Sequence, residues 1–220
     1  DLRAGHCEIR PGVDLAAKTT DPLAWSVNGV SRAAAHLVST DAEGRAAYGG
    51  TPADAAVVQA IRAIKARGLR VTLYPFVLMD VPPGNGLPDP YSDDAGSTGQ
   101  PAYPWRGRIT CSPAAGYAGS VDKTPAAQAQ VEAFFGDAVG ADFDVSGTTV
   151  TWTGDANDWG LRRMILHYAH LCEAAGGVDA FLVGTELRGL TTIRSGASTY
   201  PAVSELRSLA NAASLVLGSG

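Results

Sequence analysis

Apolar positions along this chain change period in a regular way. In "TPADAAVVQAIRAIKARG", Val57, Ile61 and Ile64, with Val58, recur at helical spacing and predict a helix with one buried face. Thr51 reads as its N-cap, Pro52 as its first residue, Asp54 as a first-turn acid and Gly68 as its stop. The following "LRVTLYPFVLMD" is a continuous β-rich run and predicts a buried strand over about 70–78, although Pro75 cannot donate to a ladder. "DWGLRRMILHYAHLCEAAGG" then predicts a helix from about Asp158 to the Gly176-Gly177 pair. "VDAFLVGTE" repeats the buried-strand pattern, with a strand expected over 179–185. "YPAVSELRSLANAASLVLG" predicts a further amphipathic helix, stopped by Gly218.

Helices alternating with near-continuous apolar strands signal a parallel α/β architecture. No GxGxxG or GxxxxGK[ST] follows either strand, which removes the main support for a nucleotide-binding doubly wound sheet. The TIM barrel, the other large parallel class, keeps its chemistry at the C-terminal ends of strands, where Asp80 and Glu186 both stand. A carboxylate placed directly after Phe181, Leu182 and Val183 is costly near a core unless it is paired or used. Between the two strands, residues of about 80–157 form an excursion too long for an unstructured connection. It opens with Pro-, Gly- and Asp-rich loop, continues with a helix at "TPAAQAQVEAFFGDA", and ends in a small hairpin, "FDVSGTTVTWTG", turning at Ser146-Gly147. Within it, "YPWRGR" offers Tyr103, Trp105, Arg106 and Arg108 as a sugar platform with donors. The alternative is that Trp105 anchors the loop while the arginines pair with nearby aspartates.

Composition narrows the partners. Hydrophobic residues make up 45% and charged residues 18% of the 220, the balance of a globular domain. No apolar run reaches the roughly 20 residues of a membrane span. A net charge of -5 argues against a phosphate-binding surface, so nucleic acid is not an expected partner. Cys7, Cys111 and Cys172 share no metal-ligand spacing, and Cys172 reads as a small buried hydrophobe. His167 and His170 lie three apart on a helix without a carboxylate or third histidine on that face, so packing, with a ring nitrogen bonded to a carbonyl, is the expected role. Asp89, Asp93 and Asp94 lack the alternation and closing Glu of an EF-hand loop. Neither a metal nor a cofactor is expected.

The segments "GTPADAAVVQAIRAIKARGLRVTLYPFVLMDVP", "PAYPWRGRITCSPAAGYAGSVDKT", "VEAFFGDA" and "FLVGTELRGLT" resemble the TIM-barrel-like domain of gene transfer agent and related phage tail-tip proteins. "PWRGRIT" and "VGTELRGLT" carry the most specific part of the likeness. The resemblance implies a fold similar to clan A glycoside hydrolases, with Glu186 at the position of the general acid/base that ends strand four. Such enzymes hold two carboxyls about 5 to 5.5 Å apart across the scissile bond. Asp80, Trp105, Arg106, Arg108, Thr185 and Arg188 are the expected substrate-binding residues, the alternative for Asp80 being to buttress a loop. Many clan A enzymes carry Asn before the acid/base, whereas Thr185 stands here. The strand seven that would supply a nucleophile is not reached before "VLGSG".

The expected architecture is therefore a partial (β/α)8 TIM barrel, residues 1–220 being one segment of a longer chain with the 80–157 insertion above the barrel. The expected task is to engage, and by resemblance to cleave, a cell-envelope glycan at the tail tip of a gene transfer agent or virion, beside other tail proteins. The competing expectation is a non-catalytic structural or glycan-binding tail module in which Glu186 pairs with an arginine such as Arg188 or Arg106.

Overall fold

Asp179 sets the register of the parallel strand pair. In the computed structural model, which describes residues 1–14 and 24–218, its carboxylate accepts the Val71 N–H at 2.7 Å, and its own N–H donates to the Val71 carbonyl. That hydrogen bond, followed by Arg70, holds the Asp179 carboxyl below its ordinary range. Thr72–Leu73 then pairs in parallel with Ala180–Phe181, so the parallel relation expected of 70–78 and 179–185 is present, although the ladder is short. Pro75 accounts for part of that brevity, since it supplies no donor.

Two compact units divide the chain. One gathers Asp1–Ile9, Phe76–Gly136 and Gly184–Ser208; the other gathers Arg10–Pro75, Asp137–Val183 and Leu209–Gly220. In chain order the strands are β1 (Gly12–Val13), β2 (Ser26–Val27), β3 (Val30–Ser31), β4 (His36–Leu37), β5 (Thr72–Leu73), β6 (Phe143–Ser146), β7 (Thr149–Trp152) and β8 (Ala180–Phe181). The helices are α1 (Asp54–Lys65), α2 (Pro125–Phe135), α3 (Leu161–Ala174), α4 (Arg188–Thr191) and α5 (Pro201–Leu217). Among the described residues the strands form four two-stranded sheets, β1 with β4, β2 with β3, β5 with β8 and β6 with β7. This is a mixed α/β chain, and no closed barrel is formed among those residues.

In the second unit α1 and α3 pack together. The buried stripe of α1 is Asp54, Val58 and Ile61, while Ile64, expected in the core, is exposed. The helix starts later than its sequence suggests, with Ala53 and not Thr51 as N-cap. The Thr51 hydroxyl accepts the Gly12 N–H at 3.0 Å instead, tying the chain before α1 to β1. Asp54 is not a solvated first-turn acid. Its Oδ1 lies 2.8 Å from His167 Nε2 on α3, and its Oδ2 accepts the Asn28 N–H at 3.1 Å, all three residues being buried. His167 therefore bonds a carboxylate where a carbonyl was expected, while His170 does meet a carbonyl, that of Gly140, at 3.1 Å. At the other end of the helix pair, Arg62 and Lys65 donate to the carbonyls of Ala174, Gly176 and Gly177. Gly176 and Gly177 both have positive φ (92° and 83°) and let the chain leave α3, with the Gly177 N–H returning to Cys172 O at 2.8 Å.

The hairpin lies where it was expected, but its turn sits one residue later: Ser146 pairs with Thr149, leaving Gly147-Thr148 as the two-residue loop. Arg163 of α3 lies over the rings of Trp152 (4.6 Å) and Trp159 (3.8 Å), so both tryptophans are packed down beside the hairpin. All three cysteines are buried free thiols; burial raises each above its ordinary value, Cys172 to about 12.

His167→Ala strands the Asp54 carboxylate in the core with a single donor. Breaking a buried pair costs about 3–5 kcal/mol, so a loss of that order is expected in denaturant unfolding followed by circular dichroism. A loss below about 1 kcal/mol would show that the pair does not hold α1 to α3.

Candidate functional site

The site belongs to the first unit and is assembled by two tight turns. Trp105 leads into a single 3-10 turn, Arg106–Arg108, and Glu186 leads into α4. The turns can meet because both contain glycine. A Cβ on Gly189 would lie 2.5 Å from the Ile109 carbonyl oxygen and 2.8 Å from that of Gly107, closer than real contacts allow. A Cβ on Gly107 would lie 2.4–2.5 Å from three carbons of the Trp105 ring. The indole therefore lies flat on Gly107, and α4 lies flat on the 3-10 turn.

This contact delivers Glu186 to two donors. The Trp105 indole N–H donates to Glu186 Oε2, and the Arg106 guanidinium reaches the same oxygen at 3.1 Å. Arg106 is itself held in place. Its guanidinium lies 4.9 Å from the centre of the Phe76 ring, a second nitrogen is 3.4 Å from the Val77 carbonyl, and its side chain is only 14% exposed. Its Nε is buried without a partner. The other members stay open to solvent: Trp105 is 48% exposed, Phe76 49%, Leu78 49%, and the Glu186 side chain 46%.

Two of the four described non-glycine residues with positive φ lie at or beside this site, the others being Asn28 and Lys123. Glu186 has φ of 52° and Tyr103 has φ of 45°, both in the left-handed region that residues with a Cβ seldom occupy. Such conformations cost on the order of 1 kcal/mol or more and concentrate at ligand-handling sites. Tyr103, two residues before the indole, donates its N–H to Val81 O at 2.8 Å.

A clasp closes the far end of the unit. Asp122 accepts the Arg194 N–H at 2.9 Å and its guanidinium at 3.1 and 2.5 Å, while Lys123 N–H donates to Arg194 O at 2.7 Å. Burial alone would raise Asp122, but the Arg194 hydrogen bonds and charge outweigh it and hold the carboxyl below its ordinary range. The clasp fixes the loop leading to α2 against the chain that leaves α4. On its other side α2 packs along Ala4–His6, where Phe134 and Phe135 are fully buried and Gly5 lies against the Gln130 side chain.

The expected site residues separate accordingly. Glu186, Trp105 and Arg106 are brought together. Arg108 turns elsewhere and stacks on Tyr91, 4.7 Å from its ring centre, while the Tyr91 hydroxyl donates to Arg108 O at 2.7 Å. Arg188 is exposed at the start of α4, and Thr185 is half-buried beside Glu186. Asp80 is half-buried and lies on the Phe76 and Leu78 side of a segment whose burial alternates from 76 to 81. Phe76, Gly107 and Gly189 were not anticipated. The period-2 exposure of Phe76 and Leu78 was hidden because exposed and buried positions there are equally apolar. Asp89, Asp93 and Asp94 each accept a loop N–H, from Tyr91, Ala118 and Gly96. Among the described residues, no group of three or more His, Cys, Asp or Glu is placed to hold a metal ion.

The described residues are of mixed α/β type, with short parallel and antiparallel strand pairs, and Glu186 stands at the turn after β8. The family model of the GTA TIM-barrel-like domain matches residues 159–220, which bears out the resemblance seen in the sequence and fits a component of a gene transfer agent. That match spans α3, β8, Glu186, α4 and α5, and leaves Trp105 and Arg106 outside it. No curated protein matches the chain. No helix among the described residues is long and apolar enough to cross a membrane.

Gly189→Ala must push α4 off the carbonyls of Gly107 and Ile109. Overpacking of this kind costs about 1–3 kcal/mol, measurable as a fall in unfolding free energy. Gly196→Ala, where a methyl finds its nearest neighbour at an ordinary 3.5 Å, is the control and is expected to change little. Equal effects of the two would remove the glycine contact as the reason for the site.

The clasp makes a pH prediction. A carboxyl whose folded value is depressed stabilises the fold fully above its unfolded value, about 3.9, and loses that contribution as pH falls through the folded value. Acid unfolding of the wild type is expected to steepen below about pH 4, and Asp122→Asn should flatten that limb. Parallel acid limbs in the two proteins would show that Asp122 is not linked to folding.

Proposed function

We propose that this chain engages a cell-envelope glycan at the tail tip of a gene transfer agent, alongside other tail proteins. Trp105, Phe76 and Leu78 form the stacking surface, while Glu186 and Arg106 orient hydroxyls at its edge. The observation that carries this reading is an exposed indole whose N–H is tied to a carboxylate on strained backbone. An aromatic face open to solvent with a fixed polar group beside it suits a pyranose ring, which presents apolar C–H faces and hydroxyl edges. Glu186 Oε2 accepts from the protein, which leaves Oε1 as the oxygen that would accept from a ligand.

A retaining glycosidase is the second reading, favoured by the left-handed backbone at Glu186 and its place after β8. It requires a second carboxyl about 5 to 5.5 Å away and a proton on Glu186 aimed at the leaving oxygen. The two donors on Oε2 favour the binding role, since both orient the group as an acceptor.

Both readings are tested in the full-length protein and its particles, by retention on host envelope polysaccharide and by sugar release. Trp105→Ala is expected to weaken retention about tenfold or more, the loss typical of a central aromatic anchor. Glu186→Gln keeps the shape of the pair and should weaken retention only a few-fold under the binding reading. Under the hydrolase reading it lowers sugar release by about 10² to 10⁴. Wild-type protein that neither retains nor cleaves any envelope fraction, with Trp105→Ala particles attaching normally, would refute both.

A further inference from the structure

Resting on the glycan reading, we infer that this surface selects uncharged sugar residues and discriminates against anionic ones such as uronic acids, sulfated sugars and phosphate-bearing polymers. The inference follows from how each nearby charge is occupied. Arg106 is the cation at the centre of the surface, and it is compensated by Glu186 at 3.1 Å. Its flat face is covered by Phe76 and its side chain is 14% exposed, so a ligand meets its edge only where Glu186 is also present. Arg108, the second cation of the "WRGR" turn, lies over Tyr91. The half-exposed polar group that a ligand reaches first is therefore a carboxylate.

An anionic sugar stacked on Trp105 would place its charge beside Glu186. It could reach Arg106 only by displacing Glu186 from a pair that the Trp105 indole also holds. Repulsion of this kind is how a site rejects a competitor that otherwise fits. A neutral sugar meets no such obstacle, because its hydroxyls donate to the free side of the carboxylate while its ring covers the indole. The net charge of -5 acts in the same direction at longer range. Arg188, exposed at the start of α4 two residues after Glu186, is the nearest cation in sequence to that carboxylate and the one to test for binding an anionic polymer.

Matched polymers test this by holding the backbone constant while changing charge: hydroxyethylcellulose against carboxymethylcellulose, and dextran against dextran sulfate. Affinity electrophoresis of the full-length protein at fixed ionic strength is expected to show the neutral member of at least one pair binding about tenfold more tightly than its anionic partner. Glu186→Gln, which leaves Arg106 uncompensated, should shrink that ratio several-fold by raising affinity for the anionic member. Arg188→Ala should leave the ratio unchanged. Tighter binding of the anionic member, or collapse of its binding in Arg188→Ala, would overturn the selectivity while leaving a glycan-binding role in place. Failure of every polymer, with Trp105→Ala indistinguishable from wild type, would instead remove the glycan reading and this inference with it.

Discussion

The first unit depends on a backbone contact that only glycine permits. Gly189 lies where a methyl group would collide with the carbonyls of Ile109 and Gly107, so α4 sits directly on the 3-10 turn that follows Trp105. With α4 seated there, Leu187 and Leu190 are buried on either side of it, each contributing on the order of 1.5–3 kcal/mol relative to exposure. The chain entering α4 must then turn sharply, and Glu186 takes the left-handed conformation as the cost of that turn. Its side chain is thereby aimed at Trp105 and Arg106. The Asp122 and Arg194 clasp holds the same two stretches of chain from the opposite end. Two stretches distant in sequence are thus fixed together at both ends, with Glu186 at one of them.

The electrostatics of that carboxylate separate orientation from stability. Glu186 is nearly half exposed, and ion pairs at that level of exposure typically contribute no more than about 1 kcal/mol. The pair with Arg106 therefore does little to hold the fold, and its effect is to fix where the charge points. The Asp54 and His167 pair is the reverse case. Both side chains are buried, so neither can be left without the other, and the pair specifies how α1 meets α3. The chain uses one carboxylate to join helices and exposes the other on strained backbone.

What could be read from the sequence follows the range of the interactions involved. Helices α1, α2, α3 and α5 were visible because each carries a 3.6-residue period or a clear stop, and the hairpin because two β-rich runs flank a glycine. The start of α1 was misplaced because the Thr51 hydroxyl has two possible uses, capping or bonding to Gly12, and nothing local decides between them. Asp54 looked like a dipole-complementing acid because its partner lies 113 residues away. Glu186 stood out as a charge at the end of an apolar run, and Trp105 and Arg106 as unusual loop residues. That these three meet depends on Gly107 and Gly189, whose importance is steric and shows only when the turns are brought together. Phe76 was absorbed into an apparently buried strand because an apolar residue gives no sign of which face it occupies.

The division of the site between its two sources bears on what such a scaffold can do. The stretch that matches the family model supplies the strand end, the turn and the strained carboxylate, while the indole, the guanidinium and the ring beneath it come from residues 76–108. A carboxylate alone is only an acceptor on a surface; the excursion gives it a stacking face, a fixed direction and a compensating charge. The β5–β8 pair and α3 are held separately, by Asp179 and by burial along α3. Residues 76–108 also fold the first unit, since Val77, Met79 and Val81 are buried and the Gly107 carbonyl lies against Gly189, so the exposed side chains of Phe76, Leu78 and Trp105 are the positions that can vary without disturbing that packing.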